Sequence, residues 1–89
     1  MDNEAEIDAY EEGERVIVEV EFKGITYTEE FKKEGSIEDI RVSVAGLIEE
    51  IHNDNNIPPS KREKIANSIF KYLHSKRYIT DDDILALIS

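Results

Sequence analysis

A change of hydrophobic period at Gly35-Ser36 constrains this chain more than any other feature. Between Arg15 and Phe31 the apolar residues recur at every second position, and after Ser36 they recur at every third and fourth. Val16, Val18, Val20 and Phe22 fall on one side of an extended segment and Ile17, Glu19, Glu21 and Lys23 on the other, as in a half-buried strand. Lys23-Gly24 interrupts the alternation, and Ile25, Tyr27 and Phe31 resume it on one face. Glycine supplies the positive φ that tight hairpin turns need, so residues 15–31 read as a β-hairpin turning near Gly24.

Beyond Gly35 the punctuation is helical. Ser36 with Asp39 has the spacing of a capping box, and Ile37, Ile40, Val44, Leu47, Ile48 and Ile51 lie within about 100° of arc on the helix that follows. That predicts a helix over 36–53, stopped by the polar run from His52 to Asn56 and by Pro58-Pro59. Ser60 and Glu63 repeat the spacing ahead of Ile65, Ala66, Ile69, Phe70, Tyr72 and Leu73, predicting a second helix over 60–76. Thr80 and Asp83 open a third, over 80–88, with Asp81, Asp82 and Asp83 in the first turn, where the helix dipole favours anions.

An isolated two-stranded hairpin is marginal in water, so its apolar face must pack on the helices. The expected fold is therefore α+β, in the order ββααα. Two strands leave open edges, to be covered by a third strand from the N-terminal segment, by another molecule, or protected by edge charges.

Charge is divided along the chain. Residues 1–59 hold 17 acids against 5 bases and residues 60–89 hold 6 bases against 4 acids, so the net charge of -10 belongs almost wholly to the first part. Residues 1–14 carry seven acids, with Ile7 and Tyr10 as the sizeable apolar groups. Ordering them costs more than they can bury, which predicts a mobile acidic tail over 1–14 and a single domain over 15–89.

The residues needed for most chemistry are missing. The chain has no cysteine, which excludes disulfides, thiolate metal sites and a cysteine nucleophile. His52 and His74 stand on different expected helices without carboxylates at metal-ligand spacing, and Asp54-Asn55-Asn56 lacks the glycine and the glutamate of a calcium loop. Isolated glycines make no phosphate-cradling loop, and no GxSxG elbow exposes a serine. The expectation is a non-enzyme without cofactor or metal. No apolar run approaches the ~20 residues that span a bilayer and no secretory signal opens the chain, so a cytoplasmic protein is expected.

Two surfaces remain as candidates for binding. Val42, Ala45, Gly46 and Glu49 project from helix one opposite its core stripe, and Glu19 and Glu21 from the outer side of the hairpin. These suit an interaction or regulatory module that binds a larger, unidentified protein partner, in a sharper form as a nucleic-acid mimic. A homodimer through the hairpin edge or helix one would also cover the strand edges. The alternative is a DNA- or RNA-binding regulator whose Lys61, Lys64, Lys71, Lys76 and Arg77, on and after helix two, meet phosphates, a reading the net charge opposes.

Overall fold

The computed structural model describes residues 5–88. In chain order it contains β1 (Glu6–Glu12), β2 (Arg15–Phe22), β3 (Ile25–Lys32), α1 (Ile37–Asn55), α2 (Pro59–Ser75) and α3 (Asp81–Ile88). The α+β class is as expected from the sequence, with three strands in place of two.

The additional strand corrects the reading of the N-terminal segment. Residues 6–12, expected within a mobile tail, form β1 on the open edge of β2, with Ile7 opposite Val20 and Ala9 opposite Val18. Residues 1–4 of that segment lie outside the described residues. The physical reason is that β1 needs little burial of its own. Ile7 and Ala9 complete the apolar face of β2, the ladder satisfies the backbone, and Gly13, at φ +64°, turns the chain back into β2.

The sheet is antiparallel, in the order β1-β2-β3. Lys23 and Gly24 both have positive φ, 53° and 84°, the conformation of the type I′ turn that matches strand twist. Val16, Val18, Val20 and Phe22 in the central strand are fully buried beneath the helices. Tyr27 and Phe31 extend their face on β3, whereas Ile25, at the hairpin end, is 52% exposed.

Helix α1 packs against β3, α2 lies nearer β1, and α3 rests on α2. Ile40, Val44, Leu47 and Ile51 point from α1 into the core, and Ile65, Ile69, Phe70 and Leu73 do so from α2. Burying a side chain of this size contributes about 1.5–3 kcal/mol. Ile57 and Ile79 anchor the two interhelical connections in the same cluster.

Helix caps follow the sequence with one exception. Ser36 Oγ accepts from the Asp39 amide at 3.4 Å and the Asp39 carboxylate accepts from the Ser36 amide at 3.2 Å, closing the capping box. Thr80 Oγ1 accepts from the Asp83 amide at 3.1 Å. Ser60 does not cap α2. That helix starts at Pro59 with Pro58 as N-cap and no side-chain cap, because a proline at the first position has the helical φ already set and no N–H to satisfy.

Both sheet edges have local cover. Ser43 Oγ on α1 donates to the Glu30 carbonyl of β3 at 2.7 Å. On β1 the Asp8 carboxylate accepts from the Ala9 amide at 2.9 Å and from the Tyr72 hydroxyl of α2 at 3.1 Å.

Candidate functional site

The side of the sheet away from the helices carries a run of carboxylates. Four rungs cross it, and two are acidic on neighbouring strands: Glu6 opposite Glu21 and Asp8 opposite Glu19, with Thr26 and Thr28 completing them on β3. The next rung is Tyr10, Ile17 and Glu30, and the last is Glu12, Arg15 and Lys32. Both cations therefore stand at one end, where Arg15 Nη1 lies 3.4 Å from Glu30 Oε2. Among the described residues, the other end has four carboxylates with no cation on their rungs, bordering a shallow depression lined by Glu6, Asp8, Glu19, Glu21 and Thr26.

The centre of this face is held firmly. Ile17 is only 7% exposed although it points away from the helices, covered by its neighbours on the flanking strands. The Tyr10 hydroxyl donates to Glu19 Oε2 at 2.8 Å. That bond and the surrounding carboxylates hold the Tyr10 phenol above its ordinary pKa and fix Glu19 in place. Alternation alone located Glu19 and Glu21. Their rung partners Glu6 and Asp8 were hidden in the expected tail, although Ala5, Ile7 and Ala9 alternating with Glu6, Asp8 and Tyr10 was a period-two signal for a strand.

The proposed surface on helix one divides between two environments. Gly46 faces the sheet: a Cβ there would lie 3.1 Å from Glu29 Oε2, so the glycine lets α1 approach β3. Val42 stands 65% exposed beside the same strand. Ala45 and Glu49 turn the other way and line a groove between α1 and α2. The four residues are thus not one surface.

The cations of α2 are also dispersed. Lys61 Nζ sits 5.7 Å from the centre of the Phe22 ring and Lys76 Nζ 5.6 Å from that of Tyr72, positions that cover aromatic faces at the sheet end and the helix end. Lys64 and Lys71 are exposed and two helical turns apart. Arg77 closes α2 in a left-handed conformation, φ 71°, with its amide donating to the His74 carbonyl and the Tyr78 amide to the Leu73 carbonyl, a Schellman cap.

The histidines stay apart. His74 Nε2 lies 2.7 Å from Asp81 Oδ1, joining α2 to the start of α3, while His52 lines the α1–α2 groove. Among the described residues no three histidine or acidic side chains converge as a metal site, and no helix is long and apolar enough to cross a membrane. Compared with protein-family models, curated proteins and solved structures, the chain matches none.

Proposed function

We propose that this protein is an acidic interaction module whose open sheet face docks on a basic surface of a larger protein partner. The observation that carries this reading is the pair of like-charged rungs, Glu6 with Glu21 and Asp8 with Glu19, built into the ladder of an ordered sheet. Like charges directly opposite one another on a sheet are destabilising by a few tenths of a kcal/mol to about 1 kcal/mol per pair. A cationic partner reverses the sign of that contribution on binding. Preordered carboxylates also lose less side-chain freedom on docking than a mobile acidic tail would.

The spacing supports a nucleic-acid mimic as the sharper form. Two carboxylates per rung, with successive rungs two residues or ~6.8 Å apart, give about one charge per 3.4 Å, which is that of a single strand in duplex DNA. A second copy of this chain is a poor fit to the same face, because two such faces repel.

The test compares three baits in affinity capture from host lysate: the wild type, Glu19→Lys/Glu21→Lys, and Lys64→Glu/Lys71→Glu. The expected result is a partner that is retained by the wild type and the helix-two variant, lost by the sheet variant, and released by about 0.5 M salt. Capture indifferent to the sheet substitutions would overturn the proposal. So would salt-sensitive binding of labelled random-sequence DNA or RNA that disappears in the Lys64→Glu/Lys71→Glu variant, since that would transfer function to the cations of α2.

A further inference from the structure

The exposed ridge of α1 is complementary to its own reverse. Placed at 100° per residue, Arg41, Ala45, Glu49 and His52 lie within about 80° of arc, with Val42 and Ile48 about 60° to either side of Ala45. Ala45 stands near the middle of α1, and matching chemistry recurs at equal distances from it: Arg41 and Glu49 four residues away, Val42 and Ile48 three, Glu38 and His52 seven. Arg41, Ala45 and Glu49 are exposed, Val42 is 65% exposed, and Ile48 is half-buried. Among the described residues neither Arg41 nor Glu49 takes part in an ion pair.

Beside this ridge a groove of about 520 Å³ runs between α1, α2 and α3, on the other side of the molecule from the acidic sheet face. Ala45, Ala66 and Ala86 keep it wide, and Phe70 and Leu87 give it an apolar wall. Arg41 and Arg62 balance Glu49 and Glu63 along it, in a chain whose net charge is -10. Copies of so acidic a chain repel where acidic surfaces meet, so self-association requires a balanced patch of this kind.

From this symmetry we propose that the groove side of α1 is the interface of a homodimer, in which two α1 helices run antiparallel about a two-fold axis at Ala45. The axis brings the two Ala45 side chains face to face and sets Arg41 level with the partner's Glu49, and by the same rotation Glu49 level with the partner's Arg41. Val42 comes level with the partner's Ile48 and Glu38 with the partner's His52, so a second helix spans both the groove wall and the sheet-side rim of the ridge. Residues 37–53 overlap over about 25 Å, with each helix N-terminus beside the partner's C-terminus, the arrangement that antiparallel dipoles favour. A small ligand or an unrelated protein requires no mirror order along the helix, whereas a second copy does. The dimer leaves both acidic sheet faces free and does not rest on the docking proposal.

The test is sedimentation equilibrium of the full chain from about 5 μM to about 1 mM. The mass is expected to rise from 10.2 kDa toward twice that value, with a Kd of roughly 1–100 μM, as suits a small interface. Arg41→Glu and Glu49→Arg, both at exposed positions, should each weaken the dimer at least about tenfold, because each creates two like-charged contacts across the axis. Mixed in equal amounts, the two variants should recover association to within about threefold of the wild type, since the mixed pair has attraction at both contacts. The chain has no cysteine, so Ala45→Cys gives a second reading that does not depend on charge. Mild oxidation should link it into a dimer at least about tenfold faster than Ser68→Cys, at an exposed position of α2 outside the groove. A mass of 10.2 kDa at every concentration would overturn the proposal. So would a dimer indifferent to both charge reversals, a mixture that fails to recover, or equal linking at Ala45→Cys and Ser68→Cys. A dimer lost in Glu19→Lys/Glu21→Lys and kept in Arg41→Glu would overturn it by moving the interface to the sheet.

Discussion

At Glu29 two carboxylates are held together where α1 crosses β3. Glu29 lies on the helix-facing side of the sheet, close to Gly46. Burial and then its hydrogen bond with Glu50 raise its pKa above the ordinary 4.5, with Glu30 adding repulsion. A carboxyl with a raised pKa binds more protons in the native state than in the unfolded chain, so stability falls as pH rises between the unfolded and the folded values. Its contribution is complete below the unfolded value and is lost as pH rises through the folded one. Glu29→Gln keeps the shape and a hydrogen bond to Glu50 but removes the titration. It should therefore raise the melting temperature at pH 7 by roughly 2–6 °C, the effect of relieving about 0.5–1 kcal/mol of like-charge repulsion in a domain this small. Near pH 4 the two proteins should melt together. A gain of the same size at both pH values would show that packing, not charge, decides the effect.

Among the elements, β1 depends most on distant residues. The Tyr72 hydroxyl donates to Asp8 at 3.1 Å and the Tyr78 hydroxyl to Glu11 at 3.2 Å, across 64 and 67 positions of sequence. Lys33 Nζ also lies 2.9 Å from Glu11. Hydrogen bonds from Lys33 and then Tyr78 hold the Glu11 pKa below the ordinary carboxylate value, so this tether is present above that value and is lost as the folded group becomes protonated in acid. Tyr72→Phe/Tyr78→Phe should accelerate amide exchange in β1 by about threefold to tenfold while β3 changes little, a local opening worth one or two modest hydrogen bonds. Uniform acceleration over all three strands would mean that the tyrosines support the whole fold instead.

The same dependence explains what was legible in the sequence. The helices could be read because their caps and apolar stripes are local: Ser36 with Asp39, Thr80 with Asp83, and Ile40, Val44, Leu47 and Ile51 on one face of α1. The hairpin was legible for the same reason, through period two and Lys23-Gly24. β1 was not, since seven acids in residues 1–14 outweighed its short alternation and the phenols that hold it lie far along the chain. The start of α2 was misplaced because Ser60 and Glu63 had the right spacing, whereas Pro59 set the helix one residue earlier. Half of the acidic face, Glu19 and Glu21, could be seen, but the opposing Glu6 and Asp8 required the register of a strand that composition argued against.

Across the whole molecule, segregated charge sets stability against binding. The chain carries a net charge of -10, and four carboxylates face one another across β1 and β2. At 0.1 M salt the screening length is about 10 Å, longer than the roughly 5 Å between opposed side chains, so physiological salt relieves their repulsion only in part. The melting temperature should therefore rise between about 20 mM and 0.5 M sodium chloride. Glu21→Lys converts the rung with Glu6 from repulsion to attraction and should add about 0.5–1 kcal/mol, or roughly 2–6 °C, while flattening the salt dependence. Glu34→Lys alters net charge by the same amount on the exposed connection before α1, away from any rung, and serves as the comparison. If only Glu21→Lys stabilises strongly, local opposition on the sheet is the source of the strain, and a charge that weakens the free protein is retained where a cationic partner would use it. If both substitutions stabilise equally, the strain belongs to net charge alone, and the like-charged rungs lose their standing as the mark of a docking face.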